Sequence, residues 1–215
     1  ALSEDVPGLP QPEPAFDVST CDSASFKNAL RLARAIVIVT IDPQAVSRLR
    51  MRYEKNVWAQ PQTVVYITAA STKMLESQIP KEAATLCNLL TRAEINAELV
   101  RLKHHRNIEM ERKVNRMSGL RIMIPEEMTA SKSARNFLWM SNNGTQTMTN
   151  IAIYRADKAM PFTAARDSAL RKNILGETDA MYMATVPTTV AAQRETLRGQ
   201  RVTVYRGLWQ MEGDA

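Results

Sequence analysis

AIVIVTI, residues 35–41, is an almost unbroken run of β-branched residues, and TVVYITA, residues 63–69, repeats the pattern further along. Short runs this apolar read as strands covered on both faces. Between them, Asp42–Pro43 places an N-cap before a first-turn proline, which predicts a helix to about Lys55. Upstream, Ala15–Thr20 alternates as a strand does. Ser23 or Ser25 stands where it can cap a helix to about Arg34, with Phe26, Ala29, Leu30 and Ala33 inward. The first third of the chain thus reads strand, helix, strand, helix, strand.

Downstream, Ser71 caps a further helix that Pro80 interrupts or restarts. From Pro80 to about Met117 there is no other Gly or Pro, and apolar residues recur at Ala83, Leu86, Leu90, Ala93, Ala97 and Val100. That three-to-four spacing predicts one long helix, ended by Gly119 as a C-cap. Leu120–Ile124 reads as a short strand ended by Pro125. Asn136–Ser141 and Thr149–Arg155 flank Asn142-Asn143-Gly144, a turn signal that predicts a hairpin. Pro161–Asn173 reads as a helix with Phe162, Ala165, Ala169 and Leu170 inward, and Met181–Val186 and Arg201–Gln210 read as closing strands. The fold class that follows is α+β: a mixed, largely antiparallel sheet with packed helices and one long central helix (about 80–117). A single domain over 1–215 is expected, with sub-halves 1–70 and 119–215 bridged by a helix over 71–117. In front stands an extended, proline-rich strap over 1–14, which overlaps the proline-rich stretch VPGLPQPEPAFDV (Val6–Val18).

The 215 residues, 45% hydrophobic and 23% charged, have the composition of a globular protein, and no apolar run is long enough for a membrane helix. A net charge of +6 admits a polyanionic partner. The densest basic cluster, Arg101, Lys103, His104, His105 and Arg106, is flanked by Glu94, Glu98, Glu109 and Glu111, and no aromatic ladder is interleaved with it. Both features argue against nucleic-acid binding. Cys21 and Cys87 are too few for a disulfide scaffold. Cys87, among Leu86, Leu89 and Leu90, reads as a buried thiol, and Cys21 lies in a polar turn.

Motifs that carry chemistry are sparse. Adjacent His104 and His105 point about 100° apart on a helix and do not chelate one ion together. Glu94, Glu98, Arg101, His105, Glu109 and Arg112 instead form a stripe of opposite charges one turn apart, as on a solvated helix face. There is no nucleophile-elbow, SxxK, phosphate-loop or dinucleotide motif. No catalytic residue, metal ligand or cofactor is assigned. The ligand-binding candidates are Trp58, Trp139 and Trp209, with Arg206 as a nearby charge. Clustered tryptophans can form a platform for a sugar or peptide, although core or core-rim positions are the more ordinary place for them.

Taken in order, VPGLPQPEPAFDV, AIVIVTI, NVWAQPQTVVYI, NFLWMS, MYMATV and VYRGLW resemble domain of unknown function 4837, a family of predicted secreted bacterial lipoproteins. The resemblance covers nearly the whole chain, and VPGLPQ and RGLW are its specific pieces. It implies a cell-envelope protein, periplasmic or on the outer surface, anchored through a lipidated N-terminal cysteine that is not in this chain. It also implies a strand and helix ahead of VPGLPQ and a short glycine-containing tail after RGLW. No functional residues transfer with it. The function expected is a non-enzymatic envelope module binding a glycan, peptide or protein partner, with membrane contact only through the anchor. The alternatives are a hydrolase-type enzyme with a site assembled from scattered residues, and a polyanion-binding protein.

Overall fold

The structure is a computed structural model that describes residues 2–6, 8–145, 147–157, 159–174, 176, 178 and 180–213. Pro7, within the proline-rich stretch, lies outside the described residues. Among the described residues there are ten strands and three α-helices in open, mostly antiparallel sheets, an α+β architecture. The chain divides into two compact units: unit 1 is Ala1–Val6 with Glu13–Arg101, and unit 2 is Pro7–Pro12 with Leu102–Ala215.

Unit 1 is built on a three-stranded sheet ordered β1-β3-β2, with β1 Ala35–Ile41, β2 Arg50–Lys55 and β3 Thr63–Ala69. β3 is central, parallel to β1 and antiparallel to β2. Helix α1, Thr72–His104, lays Leu86 and Leu90 on Val65 and Ile67, and Leu75 and Ile79 extend the same stripe. Burying each of the two leucines contributes about 1.5–3 kcal/mol. β3 meets the expectation of a strand covered on both faces. β1 does not: it is an edge strand, and only Ala35 and Val37 of its helix-side row reach the core, leaving Val39 and Ile41 exposed.

The Asp42–Pro43 signal marks a turn and not a helix. The Asp42 carboxylate accepts the N–H groups of Gln44 and Ala45, after which the chain enters β2. A similar Asx turn forms where Asp22 accepts the Ser25 N–H. In place of the expected helix after it there is only a 3₁₀ helix, Asn28–Leu32, which buries nothing. Without apolar burial, a sequence with helix-like spacing gains too little to nucleate an α-helix. Ala15–Thr20 is likewise irregular, because residues 2–6 and 13–16 pair with each other instead of with a sheet. Val6 N–H donates to Glu13 O at 2.8 Å and Phe16 N–H to Leu2 O at 3.1 Å, and Leu2 and Phe16 pack on the unit 1 core.

Ser71 caps α1 through the Met74 N–H, and the helix runs through Pro80 without ending. It stops at His104, so the single helix expected to about Met117 is two helices, the second being α2, Ile108–Ser118. The break arises where Asn107 N–H donates to Ile124 O and Glu126 N–H to His105 O, a strand-like pairing incompatible with continued helix. Asn107 then caps α2 by accepting the Met110 N–H, and Gly119 closes α2 in the left-handed region at φ 76°.

In unit 2, β4 Ala130–Ala134, β5 Phe137–Ser141 and β6 Asn150–Tyr154 form an antiparallel sheet ordered β4-β5-β6. Its core joins Met110 and Val114 of α2 to Leu138 and Met140, with Ile124 and Met128. The β5–β6 hairpin is as expected, but its loop spans residues 142–149. Asn142 stitches that loop by accepting the Gly144 and Thr149 N–H groups. Leu120–Ile124 is not a strand. Helix α3, Phe162–Asn173, buries Ala165 and Leu170, whereas Phe162 is partly exposed. β7 Tyr182–Thr185 pairs with β10 Trp209–Glu212, and β8 Ala191–Leu197 pairs with β9 Gln200–Arg206. The expected final strand, Arg201–Gln210, is therefore split, with its two halves in different ribbons.

Candidate functional site

Of the four candidate residues, Trp58 sits in the most constructed surroundings. It belongs to the loop between β2 and β3. Asn56, in the left-handed region at φ 57°, donates its N–H to Gln62 O at 2.9 Å and accepts the Gln62 N–H at 3.1 Å. Gln62 is 4% exposed, and its side chain makes three hydrogen bonds. Its Oε1 accepts the Trp58 N–H at 2.9 Å, and its Nε2 donates to Arg31 O and Ala33 O, each at 2.7 Å. One buried amide therefore ties the loop to the segment that enters β1. The loop also contains a cis Gln60–Pro61 bond.

On this support the indole of Trp58, 36% exposed, meets the Phe26 ring edge-to-face at 5.4 Å. The Arg31 guanidinium lies 5.8 Å from the centroids of both rings. The result is a half-open aromatic pair with a cation alongside. Such a group offers an apolar face for a sugar ring or peptide side chain and a nearby donor for an accompanying carboxylate or hydroxyl. The indole was visible in the sequence. Gln62 was missed, because an isolated glutamine beside a strand carries no pattern.

The other three candidates lie in unit 2 and in separate sheets. Trp139, half-buried on β5, is paired with Lys132 and Ala152, on the strand face opposite Leu138 and Met140. Trp209 is 51% exposed on β10 opposite Thr185, and Arg206 on β9 donates to Gln193 Oε1 at 3.3 Å. Among the described residues no ring contact joins Trp139 to Trp209.

A second polar cluster had no sequence signal, since its members are far apart in the chain. Asp167 on α3 accepts the Thr185 hydroxyl at 2.6 Å, the Thr185 N–H at 3.0 Å and Arg166 Nη1 at 2.8 Å. Burial works against ionisation of Asp167. The Thr185 hydrogen bonds, aided by Arg166, outweigh it and hold the carboxyl below its usual range. Burial, with Asp167 adding to it and Arg166 opposing, raises the Tyr154 hydroxyl above its ordinary value. An ionised, fully engaged carboxylate is a poor proton shuttle, and this cluster acts to fasten α3 to β7.

The charged stripe around His105 is rearranged by the break between α1 and α2. Glu98 holds Arg101 and Glu109 holds Lys113, but His105 meets Glu126 at 2.8 Å. Arg106 pairs with Glu111, whose carboxyl is lowered chiefly by that hydrogen bond, against burial, with the Ile124 N–H assisting. Among the described residues no group of three His, Cys, Asp or Glu side chains is placed to hold a metal ion. No disulfide joins Cys21 to Cys87, and among the described residues no helix is long and apolar enough to cross a membrane.

No curated protein and no solved structure matches the chain at a significant level. Two family models do. One, domain of unknown function (DUF8532), matches residues 1–103, and the other, domain of unknown function (DUF4837), matches residues 107–215. NFLWMS, MYMATV and VYRGLW fall within the second match, whereas VPGLPQPEPAFDV, AIVIVTI and NVWAQPQTVVYI fall within the first. The change from one match to the other falls at the same place as the break between α1 and α2. With half of its length covered by that second model, the chain belongs to the family described as domain of unknown function (DUF4837).

Proposed function

We propose that this protein is a non-enzymatic binding module of the cell envelope, and that unit 1 holds a glycan or peptide against Trp58. The observation that carries the reading is the support given to a half-exposed indole. A buried glutamine makes three hydrogen bonds that tie the loop backbone to the segment entering β1, which leaves the ring pre-ordered and open. Ordering a loop costs conformational entropy, and holding it ordered in advance lowers the cost of binding. The envelope address, and tethering through a lipid anchor, are supported by the resemblance to secreted lipoproteins.

The test is a binding screen of glycans, peptidoglycan fragments and envelope peptides on the protein and its Trp58→Ala, Trp139→Ala and Trp209→Ala variants. Trp58→Ala should weaken binding by about tenfold or more, as loss of a central aromatic anchor does. The other two substitutions should leave it within about twofold, as expected away from an interaction hot spot. No binding to any envelope component, or binding indifferent to Trp58, removes the proposal.

A further inference from the structure

Independently of Trp58, unit 2 contains a cavity of about 280 Å³ between α2 and the β4–β5 turn. Lys113 and Arg116 of α2 and Arg135 of the turn line it. Ser133 adds a hydroxyl, and Met117 and Leu138 are among its apolar lining. The cations are unequally compensated. Lys113 is paired with Glu109 at 3.0 Å. Among the described residues neither Arg116 nor Arg135 has an ion-pair partner, and both are exposed. Nearby, Arg155 donates to Met117 O at 3.3 Å at the C-terminal end of α2.

We propose that this cavity binds a phosphate group carried on a small organic body. Two uncompensated guanidinium groups present two charges, which a phosphomonoester dianion neutralises and a lone carboxylate does not. Each fork can address two oxygens, the Ser133 hydroxyl can donate to a third, and the apolar lining accepts the carbon portion. The same group could arrive on a soluble metabolite or on a lipid headgroup. A shallow, solvent-facing cavity admits either source.

The experiment titrates the protein with glycerol 3-phosphate by calorimetry and, in parallel, sediments it with phosphatidylcholine vesicles with and without phosphatidic acid. Arg116→Gln/Arg135→Gln removes the uncompensated pair, and Arg194→Gln/Arg201→Gln, exposed residues of β8 and β9 outside the cavity, controls for the loss of two charges. Circular dichroism should show all variants folded, since the substituted side chains are exposed. Binding should fall with salt and weaken by about tenfold or more in the double variant but not in the control. Binding of glycerol 3-phosphate would assign a soluble ligand, and binding only to phosphatidic acid vesicles a lipid-borne one. Binding to neither, or equal loss in the control, overturns the proposal.

Discussion

The side-chain oxygen of Gln62 accepts the backbone N–H of Trp58 at 2.9 Å, while its nitrogen donates to two carbonyls, those of Arg31 and Ala33. Three backbone groups therefore depend on one side chain that is 4% exposed. Gln62→Ala leaves them without that partner and opens a small void. The expected loss is about 1–3 kcal/mol, because a part-buried polar group left without its partner costs more than a hydrogen bond gains. Urea unfolding followed by circular dichroism measures it. A loss below about 0.5 kcal/mol would place Gln62 with ordinary surface residues and undercut the pre-ordered Trp58 loop.

The β8–β9 hairpin turns on Arg198 and Gly199, with φ values of 50° and 79°. A two-residue loop with both residues in the left-handed region is the type I′ geometry, which favours Asn-Gly. Arginine there is strained, and it is exposed. Arg198→Asn should therefore stabilise the protein by about 0.5–1 kcal/mol. The observable is a rise in Tm. An unchanged or lower Tm would mean that the Arg198 side chain makes a contribution the backbone argument omits.

Asp167 gives a pH signature. Its folded pKa is depressed, so the stability it supplies is fully present above the ordinary aspartate value, about 3.9. That stability is lost as pH falls through the lower folded value. Asp167→Asn cannot accept all three of the hydrogen bonds from Thr185 and Arg166, and at neutral pH it should cost about 1–3 kcal/mol. The gap between variant and wild type should stay constant from neutral to mildly acidic pH and close below about 4. A gap that widens on acidification would reverse the sign assigned to this carboxyl.

What the sequence made legible was mostly local. β-branched runs located β1 and β3, Ser71 and Gly119 marked helix ends, and Asn142-Asn143-Gly144 marked a hairpin. Each of those signals acts through the residues that carry it. The failures came where a distant partner decided the outcome. Asp42 and Ser23 or Ser25 look like helix caps, but no core waits for the helices that would follow. β4 and β8 are polar and were missed, since strands such as ASKSA and AAQRETL are held by neighbouring strands and not by their own burial. Trp58 was nameable from its type alone. Gln62, Asp167 and the Arg116–Arg135 pair were not, because each depends on residues brought together only by folding.

Asn107 is the sharpest case of a distant partner overriding a local pattern. Helical periodicity continues across it, yet its backbone N–H goes to Ile124 O at 2.8 Å and its side-chain amide to Met128 O at 2.8 Å. Its oxygen caps α2 through the Met110 N–H at 3.1 Å. Replacing Asn107 with Ala removes the cap and the donor to Met128 while restoring a better helix former at the break. The cap alone is worth about 1 kcal/mol, and the stranded Met128 carbonyl adds about 1 kcal/mol more. The gain in helix propensity returns at most about 0.7 kcal/mol, so a net loss is expected. Hydrogen exchange should show the Met110 amide losing protection first. If Asn107→Ala instead raised helicity and stability, the break would be set by the Glu111–Arg106 pair and not by Asn107.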